Sequence, residues 1–367
     1  MARNRLRARE LGIILGQLEC GQFNAITDVG GVLVGHHTIV SGDGPLVPGK
    51  GPVRTGVTAI LPHASNIFED KVEGAIHVIN GFGKTVGLSQ VEELGAIETP
   101  IILTNTLSVG AALDGLISYM VLHNPEIGIT TGTVNCLIGE CNDGFLNDIQ
   151  GRHVRPEHVQ WAIDDAKSGV IAEGSVGAGT GMVCYGYKGG IGTSSRKLPL
   201  IDGGYTVGCL VLANFGKKEM LTIGGISIEE EKRHNINAKV HSGDGSVMVI
   251  IATDAPLDSR QLGRLARRAS MGLARTGAVA SHGSGDFVIA FSTTNRQSHG
   301  SSELLRETQI ISEGGKVISL LFQAVVESVE EAVINALLMA ETVVGRDGHI
   351  AEAISADVVL KCLGKRP

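Results

Sequence analysis

Gly243-Asp-Gly-Ser-Val-Met-Val-Ile-Ile-Ala-Thr-Asp-Ala-Pro256 is where the chain changes character. Ahead of it lies a polar stretch, 217–245, centred on Glu229-Glu230-Glu231-Lys232-Arg233-His234; after Ser246 the chain turns apolar without a break from Val247 to Ala252. A short apolar run with no polar alternation reads as a strand covered on both faces. A polar segment of this length within a folded chain reads as an exposed loop, a lid or a linker, where the backbone can be cut without loss of the fold. The two meet at Gly245–Ser246.

Similar apolar runs lie on either side of this strand. They predict strands over 75–79, 101–104, 134–138, 207–213 and 287–291, and helical spacing predicts helices over 108–122, 157–167, 258–275 and 329–342. In the third helix Leu262, Leu265, Ala266, Ala269 and Leu273 fall on one stripe, and Gly277 follows its end. Its arginines, Arg260, Arg264, Arg267, Arg268 and Arg275, read as a solvated face. Buried strands alternating with amphipathic helices make an α/β protein, whose strand order periodicity does not reveal.

Composition narrows the classes. With 43% hydrophobic and 19% charged residues over 367 positions, the chain is globular and long enough to bury a large core. Its 51 glycines follow no three-residue period, which excludes collagen and points to tight turns and close backbone contacts. A net charge of −7 gives no footprint for nucleic acid. The apolar stretch behind the basic amino terminus is too short for a signal sequence, no apolar run is expected to cross a bilayer, and the expected location is cytoplasmic. The cysteines, Cys20, Cys136, Cys141, Cys184, Cys209 and Cys362, form no C-x-x-C pair and read as thiols, not as a disulfide framework.

Familiar catalytic patterns are missing. Ser246 has no G-x-S-x-G elbow, no histidine has a telling context, and His36-His37 cannot both face one metal from a strand. Gly174-Ser-Val-Gly-Ala-Gly-Thr-Gly181 matches no phosphate loop and reads as close backbone packing. No metal or cofactor is called for. Gly245–Ser246 offers other chemistry. A serine after glycine can attack its own preceding carbonyl, and glycine tolerates the backbone this needs. The cut leaves a residue with both a hydroxyl and an α-amine, whose reference pKa of about 7.7–8.0 suits a base near neutral pH.

Ordered blocks along the chain resemble one family. They are Arg9-Glu-Leu-Gly-Ile13, Phe23-Asn-Ala-Ile-Thr-Asp-Val-Gly-Gly-Val-Leu-Val-Gly-His36, Gly139-Glu-Cys-Asn-Asp-Gly-Phe-Leu-Asn-Asp148, Gly177-Ala-Gly-Thr-Gly181, Lys188-Gly-Gly-Ile-Gly-Thr193, Val211-Leu-Ala-Asn-Phe-Gly216, the Gly243 to Pro256 stretch, and Ser281-His-Gly-Ser-Gly-Asp-Phe287. Together they resemble the DmpA-like L-aminopeptidase/D-esterases, which include the β-peptidyl aminopeptidases.

The resemblance implies a single αββα sandwich over residues 1–367, cut at Gly245–Ser246 into a large subunit (1–245) and a small one (246–367), with four such pairs assembling as a homotetramer. It implies Ser246 as nucleophile, Asn214 as an oxyanion donor, Ser284 and Asp286 as the polar pair supporting the nucleophile, and Glu140 as the acceptor of the substrate's free amine. The substrates implied are short peptides, amides or esters with a free amino end. Asn142 departs from the family, in which a tyrosine often stands near the nucleophile at this position; its place in the substrate pocket and in the oxyanion contacts is therefore open. Two other functions compete. An acetyltransferase of the ornithine acetyltransferase type shares the fold but uses threonine where this chain has Ser246, and a non-catalytic binding protein would keep the fold without the reaction.

Overall fold

The strand Ser246–Thr253 buries every residue and sends alternate side chains into different cores. Val247, Val249 and Ile251 pack with Leu262, Leu265, Val325 and Val329 of two helices. Met248, Ile250 and Ala252 pack with Ile60, Ile101, Leu103 and Leu137 of a second sheet. This explains the unbroken apolar run, because a strand between two apolar layers has no face for polar residues.

The computed structural model describes residues 5–228 and 245–365. Residues 229–244, which hold the centre of the polar stretch together with Gly243 and Asp244, lie outside the described residues. In chain order the strands are β1 (Leu33–Ser41), β2 (Val53–Leu61), β3 (Asp70–Gly81), β4 (Ala96–Ile97), β5 (Ile101–Asn105), β6 (Leu137–Cys141), β7 (Val183–Cys184), β8 (Tyr187–Lys188), β9 (Gly190–Lys197), β10 (Thr206–Asn214), β11 (Thr222–Ile223), β12 (Ile226–Ser227), β13 (Ser246–Thr253) and β14 (Gly285–Ser298). The helices that cover them are α1 (Leu88–Leu94), α2 (Val109–His123), α3 (Pro156–Asp164), α4 (Ser259–Arg275) and α5 (Val317–Met339).

One sheet has six strands in the order β4-β3-β14-β13-β10-β9, and the other has four in the order β1-β2-β5-β6. Pairing is antiparallel except for β13 with β14 and β5 with β6. Helices α4 and α5 cover the outer face of the larger sheet. The outer face of the smaller sheet carries α2 and α3 through Ala112, Leu116, Val159 and Ala162. Two sheets thus lie between two helix layers, the αββα sandwich.

Three expected elements shift for physical reasons. The strand expected at 134–138 is Leu137–Cys141. It continues through polar Glu140 because the parallel ladder with β5 pairs Thr104 with Glu140 and Asn105 with Cys141. The helix expected at 157–167 ends at Asp164, and Lys167 instead bridges to Val34 by backbone hydrogen bonds of 3.0 and 3.1 Å. The helix expected at 329–342 spans Val317–Met339 and buries Glu327, Glu330 and Glu331. Segment 106–123, containing α2, has the length and composition to cross a membrane; in this fold Ala112, Leu116 and Met120 lie against the smaller sheet.

The buried carboxylates of α5 have a partner. Arg196 of β9 is fully buried and meets Glu331 at 2.7 Å and Glu327 at 3.2 Å, while its remaining N–H groups reach the carbonyls of Leu15 and Ser195. Arg9 adds a 3.0 Å pair to Glu331, and Arg7 pairs with Glu173 at 2.7 Å. This lattice ties the amino-terminal segment to α5 and β9.

Candidate active site

The site forms where strand ends of opposite direction meet. Ser246 opens β13, and its cross-strand partners are Asn214, the last residue of antiparallel β10, and Gly285, the first of parallel β14. The carboxyl end of β6, Glu140-Cys141, arrives from the other sheet, with the Cys141 Sγ–H donating to the Leu212 carbonyl at 3.5 Å. Ser246, Asn214 and Glu140, three of the residues singled out from the sequence, therefore converge from three strands.

Two N–H donors point at one hydroxyl. Asn214 Nδ2 donates to Ser246 Oγ at 3.1 Å, and the backbone N–H of Asn142 does so at 3.3 Å. The amide of Asn214 is fixed in this orientation because its Oδ1 accepts the Val183 N–H at 2.9 Å. Asn142 contributes its main chain. Its exposed side chain turns back to accept the Gly144 N–H at 2.9 Å. Ser246 itself is 5% exposed, so these bonds lie at the edge of the core, where they are stronger than in water.

Gly245 is fixed by packing. A Cβ there would stand 2.7 Å from Phe215 Cα and 3.1 Å from the Asn214 carbonyl, so no larger residue fits without moving the end of β10. Its carbonyl accepts the Gly285 N–H at 3.1 Å. In the unbroken chain the Ser246 nitrogen belongs to this peptide bond, and it becomes an amine only if the bond is cut.

Ser284 and Asp286 lie beside it on the parallel neighbour. The Ser284 hydroxyl donates to Asp286 Oδ1 at 2.6 Å. Burial raises the Asp286 carboxyl above its ordinary range, against the hydrogen bonds from Ser284 and from the backbone of Val247. Asn80, which the sequence did not single out, clamps the loop that carries Ser284: its Nδ2 donates to the carbonyls of Ser281, His282 and Ser284 at 2.8, 3.0 and 2.6 Å. Nothing in its local sequence marks it, because the loop it holds is 200 residues away.

Glu140 is buried, with one carboxyl oxygen accepting the Lys84 N–H at 2.9 Å and the other the Thr106 hydroxyl. Thr106 and the Lys84 backbone also escaped the sequence reading. Cys141 sits among the catalytic candidates. Burial pushes its thiol well above the usual range; the Glu140 and Asp286 carboxylates add to this, and a hydrogen bond with Ser246 opposes it. Among the described residues no group of three or more His, Cys, Asp or Glu side chains is arranged to hold a metal. His36 bonds Thr58 Oγ1 at 2.9 Å while His37 stacks on His158, so the adjacent pair serves different neighbours.

The arrangement suits acyl transfer, since a hydroxyl with two N–H donors beside it can attack a carbonyl and leave the resulting negative oxygen hydrogen-bonded. Comparison with known proteins points the same way. The sequence profile of peptidase family S58 matches residues 24–351. Beta-peptidyl aminopeptidase BapA of Sphingosinicella microcystinivorans is 40% identical over 363 residues, covering 95% of this chain and 89% of that protein. Among solved structures, the PH0078 protein from Pyrococcus horikoshii OT3 superposes with a TM-score of 0.91 at 53% identity, over 98% of this chain and 99% of that one. The L-aminopeptidase D-Ala-esterase/amidase from Ochrobactrum anthropi, described as a prototype for the serine aminopeptidases and a variant of the Ntn hydrolase fold, gives 0.88 at 37% identity, over 98% and 99%.

Proposed function

Since the chain belongs to peptidase family S58 and is a hydrolase of the serine aminopeptidase class, we propose that it cuts its own Gly245–Ser246 bond and then releases amino-terminal residues from short peptides, amides or esters through an acyl-enzyme on Ser246. The observation that carries this reading is the convergence of the Asn214 side-chain N–H and the Asn142 backbone N–H on Ser246 Oγ.

In the first reaction Ser246 Oγ attacks the Gly245 carbonyl carbon, its proton passes to the departing nitrogen, and an ester replaces the peptide bond. Water then hydrolyses the ester, leaving a carboxylate on Gly245 and a free hydroxyl and α-amine on Ser246. In turnover the amine takes the hydroxyl proton as Oγ attacks the substrate, Asn214 and Asn142 hold the oxyanion, and the proton goes on to the leaving amine or alcohol. Water releases the acyl group. The Ser284–Asp286 pair, next to Ser246 across the parallel ladder, supports the proton transfers. Because the base works only when neutral, activity rises with pH through the ordinary range of an α-amine.

Glu140 receives the free amine of the substrate, which makes a blocked amino end a poor substrate. The substrates include β-aminoacyl amides, supported by the name of the Sphingosinicella relative. The large and small pieces stay together through β13, and four pairs assemble; exposed Ile117, Val121 and Leu122 on α2 support burial between copies.

Intact-mass measurement tests the first step. The purified protein is expected as fragments 1–245 and 246–367, and Ser246→Ala as one chain. A Ser246→Ala protein still cut at that bond overturns the proposal.

A further inference from the structure

Behind Asn214 lies a fully buried lysine that takes no part in the steps above. Lys188 has no solvent exposure, and its Nζ donates to the carbonyls of Gly179 and Gly189 at 2.8 Å each. Lowering it to about 7, burial works against the ammonium form, with Asp143 among the charges that oppose the shift. An ammonium here is costly to the fold, and a methionine of similar length would fill the space without that cost. The position therefore needs a reason.

The geometry supplies one. In the ribbon β7–β8 Lys188 is the cross-strand partner of Val183, whose N–H sets the orientation of the Asn214 amide. The Gly189 N–H closes the same ribbon on the Met182 carbonyl at 3.0 Å. Gly179, the other carbonyl that Lys188 holds, is in the glycine segment 177–181. Gly181 of that segment packs on the turn after Asn142, where a Cβ would stand 2.7 Å from Asp143 Cβ. One Nζ group thus joins the ribbon that aims Asn214 to the loop that lies against the second donor. Neither contact involves Ser246, Glu140 or the substrate side of the site.

We infer that Lys188 is a positioning residue for the oxyanion donor: through the β7–β8 ribbon and the Val183 N–H it keeps the Asn214 amide turned toward Ser246. This rests on the proposed role of Asn214. Without this Nζ the two carbonyls lose their shared donor, the ribbon relaxes, and the amide loses its aim. An N–H group held loosely costs rate in the same way as one removed, though less.

The test is a double-mutant cycle on the processed enzyme, with L-alanyl p-nitroanilide as substrate. Lys188→Met is expected to lower kcat by about 10- to 100-fold, with KM changed by less than about threefold. Asn214→Ala is expected to lower kcat by about 100- to 1,000-fold. The decisive measurement is the double variant, expected within about threefold of Asn214→Ala alone, because a residue that acts through the amide has nothing left to aim. If Lys188→Met lowers kcat by its full factor in both backgrounds, or has no effect on kcat, the inference is overturned. Should Lys188→Met not yield folded, processed protein, the cycle is run with Lys188→Leu, which also removes the donor but with a smaller side chain. Failure of both variants to fold makes Lys188 a folding residue and overturns the inference too. Asn214→Ala with undiminished kcat would instead defeat the oxyanion assignment itself, so the two failures are distinct.

Discussion

Two polar clusters are buried in this molecule, and they differ in how their charges and donors are matched. Around Arg196 every charge has an opposite: the guanidinium meets Glu327 and Glu331, Arg9 adds to Glu331, and spare N–H groups find backbone carbonyls. Around Ser246 two N–H donors converge on one neutral hydroxyl, and the nearby carboxylates of Asp286 and Glu140 are occupied by other donors. A cluster of matched charges has nothing to offer a visitor. A cluster whose fixed N–H donors surround a reacting hydroxyl can hold the negative charge that develops beside it.

The largest effect expected from this contrast is on stability. Arg196→Met leaves Glu327 and Glu331 buried without their cation, and chemical denaturation should show a loss of about 3–5 kcal/mol. Turnover per folded molecule is expected to stay the same; a matching fall in kcat would erase the distinction between the clusters. Asn214→Ala should do the reverse, costing about 100- to 1,000-fold in kcat with a denaturation midpoint near that of the parent. A smaller change separates binding from chemistry. Glu140→Gln should raise KM for L-alanyl p-nitroanilide by about tenfold or more, with a lesser effect on kcat, because a charge-assisted contact to the substrate amine becomes a neutral one. Equal losses in both parameters would move Glu140 from substrate binding to the reaction itself.

The smallest effect concerns Glu173, paired with Arg7 beside the Arg196 cluster, whose carboxyl burial raises to about 7 against the pull of Arg7. Between its unfolded value near 4.5 and about 7 the folded chain holds a proton that the unfolded chain has lost, so stability falls as pH rises through that window. Glu173→Gln should flatten this slope, read as a melting temperature that varies less with pH. A slope unchanged by the substitution would show that Glu173 is not its source.

Much of the framework was legible because burial writes itself into sequence as apolar runs. The runs at 207–213 and 247–252 lie wholly within β10 and β13, and the stripe of α4 packs as spaced. The order of the layers came from the family resemblance, since period-two patterns do not say which strand pairs with which. What escaped was polar and buried. Glu327 and Glu331 look like the wet side of a helix until Arg196, more than 130 residues away, is placed against them. Glu140 looks like the end of a strand until the facing sheet covers it. At the site, backbone groups were hardest to foresee: the donor from position 142 is an N–H that every residue but proline has, so the side chain there, which drew attention in the sequence, says little about it.

The tight packing around Gly245 has a consequence for anyone who would re-engineer the proposed self-cleavage. A methyl group at that position would press on Phe215 and on the Asn214 carbonyl, at the end of the strand whose last side chain faces Ser246. In the unbroken chain the bond of the proposed self-cleavage and the strand end that carries the proposed oxyanion donor therefore share one packing contact, and a larger residue at 245 would disturb both.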